Sequence, residues 1–334
     1  MKICAYEVRQ DERRWFDTVG RELGLTLTLS PQVPSLETAD AAAGCEGVTI
    51  LGQGVIHAGL LQRWHAAGVR YLSTRTVGYN HIDLAAARQA GIQVCRASYP
   101  PTGVADYTIM LILMCLRHYK QQLWRGQVND FSLYGMEGRE LHELTVGVWG
   151  AGHIGTAVLQ ELTGFGCRLL ACTPHPSDRV RALAQCVDED TLLRECDVIS
   201  LHLPLTADTY HIINRRTIAR MKDGVVLINC ARGGLADMEA LIHGIESRKI
   251  GALGLDVVEG EEGITHVDHR VDILVNRNMA YLKQFPNVVM TPHMAFYTET
   301  AVASMVRTGL EGLVQLAEGK PCPGLLRAPE PESR

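Results

Sequence analysis

The stretch Val146-Gly-Val-Trp-Gly-Ala-Gly-His-Ile-Gly155 constrains this chain more than any other. A short apolar strand runs into Gly150, Gly152 and Gly155 at the spacing G-x-G-x-x-G, and a helical pattern begins at once in Thr156-Ala-Val-Leu-Gln-Glu-Leu162. A dinucleotide-binding turn needs that context. The first glycine permits a tight turn, the second lets backbone approach a pyrophosphate, and the third lets helix and strand pack closely. Free N–H groups at the helix start then face the phosphates. Stripped of its flanks, the same spacing is also that of an ordinary turn.

The next strand, Cys167-Arg-Leu-Leu-Ala-Cys-Thr173, ends where such folds place an acid on the ribose hydroxyls, about 20 residues beyond the glycines. Here the residue is Thr173. A threonine does not repel a 2′-phosphate as a carboxylate does, and His175, Ser177 and Arg179 follow in the next loop. NADH and NADPH are both left open, as is a surface loop whose His and Arg meet only water.

A chain of 334 residues is long enough for two domains and a generous core. The net charge of −5 and pI near 6.2 argue against general affinity for nucleic acid or anionic membrane, since both need a basic surface. Small molecules are the expected ligands. The N-terminus opens directly as a strand with no secretory leader pattern, so a cytoplasmic protein is expected. The longest apolar run, residues 107–116, is too short to span a bilayer. Ten scattered cysteines contain no C-x-x-C pair, so free thiols are expected and no metal site.

Residues 2–8, 25–29, 48–51, 69–74 and 92–97 read as strands, and residues 11–23, 57–67 and 81–90 as helices between them. That alternation predicts a parallel, doubly wound α/β sheet. Ligands of such sheets meet the loops at the carboxyl ends of strands, which selects the loop after the fourth strand. There Val77 and Gly78 offer successive backbone N–H groups to an anion, although a glycine in such a loop also serves a plain turn. Between residues 100 and 126 comes the most apolar helical pattern, greasy nearly all round. Such a helix must be covered on every side, by a domain junction, a large core or a second copy; a homodimer is expected.

From residue 144 the alternation restarts. Residues 197–204, 224–232, 251–258 and 287–293 read as further parallel strands, and their carboxyl ends carry Arg232, Asp256 and His293. A final helix spans residues 298–318. A hydride donor at the glycine loop needs an acceptor carbonyl, a cation to fix and polarise the acceptor, and an acid to protonate the new alkoxide. Arginine suits the first task through its planar fork, and histidine the second because its ordinary pKa lies near working pH. Singly, an Arg after Ala or a His after Thr-Pro has a purely structural account; together on one sheet edge they form a constellation.

The segments Val146–Gly155, His202-Leu-Pro-Leu-Thr206, Asn229-Cys-Ala-Arg-Gly-Gly-Leu-Ala-Asp237, Asp256-Val-Val-Glu-Gly-Glu261 and Thr291-Pro-His-Met-Ala-Phe-Tyr-Thr298 resemble, in order, the D-isomer-specific 2-hydroxyacid dehydrogenase family. With Gly78-Tyr-Asn-His-Ile-Asp83 and the long acidic loop after Asp256, the likeness is to its D-lactate dehydrogenase branch, including the pyruvate reductases of vancomycin-resistance operons. The resemblance implies two doubly wound parallel-sheet domains: a flavodoxin-like substrate domain of residues 1–100 plus 297–334, and a Rossmann NAD(P)-binding domain of residues 101–296. It implies that Arg232 binds the 2-oxo acid, that His293 donates the proton and that Glu261 pairs with His293, with Glu259 and Glu262 as near alternatives. Val77, Gly78 and Tyr99 match substrate-carboxylate positions, and Phe296 and Tyr297 match the pocket lining. For the cofactor it implies His153 and Ile154 at the pyrophosphate beside Gly150, Gly152 and Gly155, and Thr173 at the ribose. Leu203, Pro204 and Thr209 fall on the adenine side, Cys230, Ala231 and Arg232 near the nicotinamide, and Asp256 at its carboxamide. The same scaffold also resembles dinucleotide-sensing corepressors, so an NAD(H)-sensing regulatory protein is the alternative to an enzyme.

Overall fold

The computed structural model describes residues 1–328; the Pro-rich stretch beyond lies outside the described residues. Strands form where β-branched and apolar residues run together and end where glycine or polar residues take over. In chain order they are β1 (Lys2–Ala5), β2 (Thr26–Leu29), β3 (Gly47–Ile50), β4 (Tyr71–Thr74), β5 (Gln93–Arg96), β6 (Thr145–Trp149), β7 (Arg168–Cys172), β8 (Gln185–Cys186), β9 (Val198–Leu201), β10 (Val225–Asn229), β11 (Ile250–Leu255), β12 (Val288–Met290) and β13 (Leu325–Leu326). The chain divides into two compact units. Met1–Pro100 joins the chain from Tyr297 onward in one, and Pro101–Phe296 forms the other.

The first unit has the sheet order β13-β5-β4-β3-β1-β2. Its five main strands are parallel in the flavodoxin-like order 2-1-3-4-5, and β13 adds an antiparallel edge on β5. The helix Glu299–Ala317 returns to this unit and packs on β4, β5 and the helix Arg13–Glu22. It buries Val306, Leu310 and Leu313 at helical spacing against Ile3, Ala5, Phe16 and Val19. Each such side chain contributes about 1.5–3 kcal/mol of burial. A fully buried ion pair joins Arg75 to Glu12 at 3.0 Å, and Arg75 also donates to the carbonyls of Tyr6 and Glu7. The extra acceptors offset the desolvation of a charge that has no access to water.

The second unit has the order β12-β11-β10-β9-β6-β7-β8, all parallel. Counted within the unit this is 3-2-1-4-5-6 with a seventh strand added, the doubly wound dinucleotide-binding order. β9 and β10 are buried at every residue, as strands with helices on both faces must be. The apolar stretch after Pro100 becomes two helices, Thr102–Leu116 and Tyr119–Gln127, broken at His118, whose φ of 51° is left-handed. The first of them buries Val104, Ile109, Leu111, Ile112, Cys115 and Leu116. It packs on β10, β11 and the helix that follows the glycine loop, so much of the cover it requires comes from its own unit. Apart from Met110, the exposed large apolar residues of this stretch lie further on, in residues 119–134.

Candidate active site

At the glycine loop each glycine has a different reason to be there. Gly150 has φ 95°, and a Cβ on it would lie 2.7 Å from the backbone of His202. At Gly155 a Cβ would collide with the Gly150 carbonyl oxygen. At Gly152 it would meet no protein atom within 4 Å. The protein therefore requires the first and third glycines for its own packing, while the second faces open space. That space is a cavity of about 550 Å³ walled by Ala151, Gly152, His153 and Thr156, with Thr102, Glu161, Ser177 and Arg179 around it. The helix starting at His153 has no side-chain cap. Its free N–H groups and positive dipole end suit a pyrophosphate. Ile154 sits in the same first turn, and Thr173 directly follows β7.

Burial, and then the adjacent Asp106, push the Glu161 carboxyl up to about 7. After β9, His202 bonds Ser200 Oγ at 2.8 Å, and burial lowers it to about 4, so the ring is neutral. Beyond it Thr209 Oγ1 donates to the Pro204 carbonyl at 2.6 Å and accepts from Thr206 N–H at 2.8 Å, which fixes the turn that Leu203 enters.

The ends of β10, β11 and β12 build the second cluster. Asn229 holds the turn after β10, accepting from Ala231 N–H at 3.0 Å and donating to the Arg232 carbonyl at 2.9 Å. Cys230 is buried between them. Arg232 Nη1 donates to the Ala231 carbonyl at 2.5 Å. Gly233 then presses on the Val258 backbone so closely that no side chain fits, which draws the Arg232 turn to the loop after β11. Asp256 is 1 % exposed, and its carboxylate accepts from Thr291 Oγ1 at 2.7 Å and from the N–H groups of Met294 and Ala295, each at 2.8 Å. Its carbonyl takes the His293 N–H, also at 2.8 Å. Asp256 thus braces the turn on which His293 sits with a left-handed φ of 54°.

His293 Nδ1 lies 2.7 Å from Glu261 Oε1, while Glu261 Oε2 accepts the Val258 N–H at 2.9 Å. Glu259, a near alternative, is engaged elsewhere: it accepts from Tyr210 Oη at 2.8 Å and contacts His211 Nε2 at 2.9 Å. Glu262 is exposed. Phe296 stands edge-on to the His293 ring with centroids 6.3 Å apart.

In the other unit, Val77 and Gly78 follow β4. Their carbonyls accept from Arg96 Nη1 at 3.2 Å and from Thr76 Oγ1 at 2.5 Å. Their N–H groups have no acceptor among the described residues. Tyr99 is partly buried just beyond β5, and the Arg9 guanidinium lies 5.1 Å over the Tyr297 ring.

Residues 109–295 match the family described as D-isomer specific 2-hydroxyacid dehydrogenase, NAD binding domain. The "Aromatic 2-oxoacid reductase" of Clostridium sporogenes is 40% identical over 315 residues, which cover 94% of this chain and 95% of that protein. The D-lactate dehydrogenase of Escherichia coli is 36% identical across 98% of this chain and 100% of its own length. The chain belongs to the D-isomer-specific 2-hydroxyacid dehydrogenase family. The crystal structure of a D-lactate dehydrogenase from Treponema pallidum superimposes with a TM-score of 0.89 at 29% identity, covering 98% of this chain and 100% of that one.

This dehydrogenase is therefore an oxidoreductase with an NAD-binding domain, and nothing in these relatives favours the regulatory alternative. Within its second unit the sequence-expected Glu261 and His293 meet, and Arg232 sits one strand end away across the Gly233–Val258 contact. Two residues were not foreseen in the parts they play. Asp256 gives its carboxylate to the 291–295 turn, a bracing part additional to the carboxamide contact that the resemblance implies. His266 contacts the His293 carbonyl through Nε2 at 2.9 Å. The first is signalled by an acid ending a buried strand; the second has no sequence signal, because a long irregular loop decides where residue 266 falls.

Proposed function

We propose that this dehydrogenase reduces a 2-oxo acid, with pyruvate as the reference substrate, to the D-2-hydroxy acid. The observation that carries the reading is the 2.7 Å contact between His293 Nδ1 and Glu261. A carboxylate on Nδ1 fixes the ring orientation and leaves Nε2 as the nitrogen that delivers a proton to the forming alkoxide. Arg232 supplies a permanently charged planar fork for the carboxylate and carbonyl of the 2-oxo acid. Val77 and Gly78, whose N–H groups have no acceptor among the described residues, are assigned with Tyr99 to the substrate carboxylate, and Phe296 and Tyr297 to the substrate's side chain. A bound dihydronicotinamide supplies the hydride.

For that cofactor, His153 and Ile154 take the pyrophosphate through backbone N–H groups. Thr173 adjoins the ribose, Leu203, Pro204 and Thr209 the adenine side, Cys230, Ala231 and Arg232 the nicotinamide, and Asp256, which also braces the His293 turn, its carboxamide. The second unit is thus the cofactor domain and the first the substrate domain. Thr173 places no charge against a 2′-phosphate, and Ser177 and Arg179 stand in the same cavity wall, so NADPH is used as well as NADH. The dehydrogenase acts as a homodimer through the exposed apolar residues Val128 (75%), Phe131 (80%), Leu133 (87%) and Tyr134 (91%).

The test follows loss of dihydronicotinamide absorbance with pyruvate, phenylpyruvate and 2-oxoisocaproate, each with NADH and with NADPH. Steady oxidation with pyruvate supports the reading. No turnover with any 2-oxo acid refutes it. The likeness to an aromatic 2-oxoacid reductase favours phenylpyruvate as a second substrate, and the ratio of kcat/KM values decides which is preferred.

A further inference from the structure

We infer that Glu7 is a positioning residue for the substrate carboxylate, acting through the loop after β3. The inference rests on the assignment of Val77 and Gly78 to that carboxylate. Glu7 is an acid where an acid is costly: it is 3 % exposed and holds a left-handed φ of 55°. Its carboxylate is satisfied by backbone alone. Leu51 and Gly52 N–H groups donate to Oε2, the latter at 2.7 Å, and those of Gln53 and Gly54 donate to Oε1 at 2.8 and 2.9 Å. Four successive N–H groups converging on one anion form the concavity that proteins use to bind free anions. Here the anion is built into the chain.

That loop is in turn the support of the next one. Gly52 carries the His81 ring against its Cα, since a Cβ there would lie 2.9 Å from His81 Cε1. His81 Nε2 meets Thr74 Oγ1 at 3.2 Å, Thr74 Oγ1 meets Thr76 Oγ1 at 2.6 Å, and Thr76 Oγ1 donates to the Gly78 carbonyl. Ile56 N–H also donates to the His81 carbonyl at 2.8 Å. A continuous line of contacts therefore runs from the Glu7 carboxylate to the Gly78 carbonyl, on the segment whose Val77 and Gly78 N–H groups are assigned to the substrate. Both ends of Glu7 are anchored as well: its N–H donates to the Gln32 carbonyl at 3.0 Å, and its carbonyl accepts from the buried Arg75 at 3.2 Å. A side chain that only filled space would need neither a charge nor a strained backbone.

Glu7→Gln tests this, because it keeps the shape while setting an NH2 donor against N–H donors. The expected result is a rise of about tenfold or more in KM for pyruvate with kcat changed much less, and an unchanged dissociation constant for NADH. Hydrogen exchange at residues 51–54 and 77–79 should rise by at least about tenfold in the same variant. Unchanged exchange together with unchanged KM would overturn the inference alone. Faster exchange in both loops with unchanged KM would overturn it together with the assignment of Val77 and Gly78. Glu7→Gly, which removes the carboxylate and relieves the left-handed backbone, is measured alongside and read the same way. If neither variant folds, Glu7 is a stability residue and the inference fails.

Discussion

At the scale of single residues, the chemistry depends on few side chains, each fixed by neighbours that do no chemistry. His293 is held by Glu261 at its ring, by Asp256 at its N–H and by His266 at its carbonyl. Arg232→Ala is expected to lower kcat/KM by about a hundredfold or more, and His293→Ala to lower kcat by a similar factor, with circular dichroism unchanged in both. Rates near the parent in either variant would remove that residue from the mechanism. Glu161 gives a prediction of pH dependence. Its folded-state carboxyl titrates near 7, against about 4.5 in the unfolded chain, because burial and Asp106 favour the neutral form. The folded state therefore holds a proton that the unfolded state has released, and stability falls as pH rises from about 4.5 to about 7. Glu161→Gln is expected to raise Tm at pH 8 by a few degrees and to leave it unchanged at pH 4, as scanning calorimetry would show; equal Tm shifts at both would contradict the sign. Since Glu161 also lines the cavity assigned to the pyrophosphate, its ionisation adds negative charge there, and the affinity for NADH should weaken as pH rises through about 7 in the parent and stay level in the variant.

At the scale of elements, the strand, glycine turn and helix from Thr145 to Leu162 form one device with separable parts. Gly155→Ala forces a methyl group into the Gly150 carbonyl and should cost about 1–3 kcal/mol, lowering Tm by several degrees. Gly152→Ala meets no protein atom within 4 Å and should leave Tm nearly unchanged while weakening NADH binding about tenfold or more. Calorimetry and a cofactor titration on the two variants separate the roles, and a large Tm loss in Gly152→Ala would show that the cavity side of the loop is packed after all. The glycine turn was legible in the sequence because its spacing and both flanks are local. So was the parallel alternation of strands. The helices Asp178–Leu183, Glu189–Glu195 and Arg215–Arg220 were not, since each is only six or seven residues long and too short for periodicity to register. The break at His118 was missed too, because a single left-handed residue inside an apolar run leaves no compositional mark.

At the scale of the whole molecule, residues 119–134 present exposed aromatic and aliphatic side chains beyond a helix that its own unit already covers well. Replacing Phe131 and Tyr134 with serine is expected to shift the protein from dimer to monomer in sedimentation velocity at micromolar concentration. A parent protein that already sediments as a monomer would remove the dimer altogether. The sequence by itself determined the kinds of elements, the sheet class, the position of the cofactor turn and the residue types available for proton transfer and anion binding. These follow from local periodicity, from glycine spacing and from the chemistry of individual side chains. Only the tertiary structure decided which of three glutamates reaches His293, that Asp256 and His266 fix its backbone, and that the Glu7 carboxylate gathers four N–H groups from a loop more than forty residues away. Those contacts join residues far apart in sequence through loops without periodicity, so their geometry exists only once the sheets bring the strand ends together.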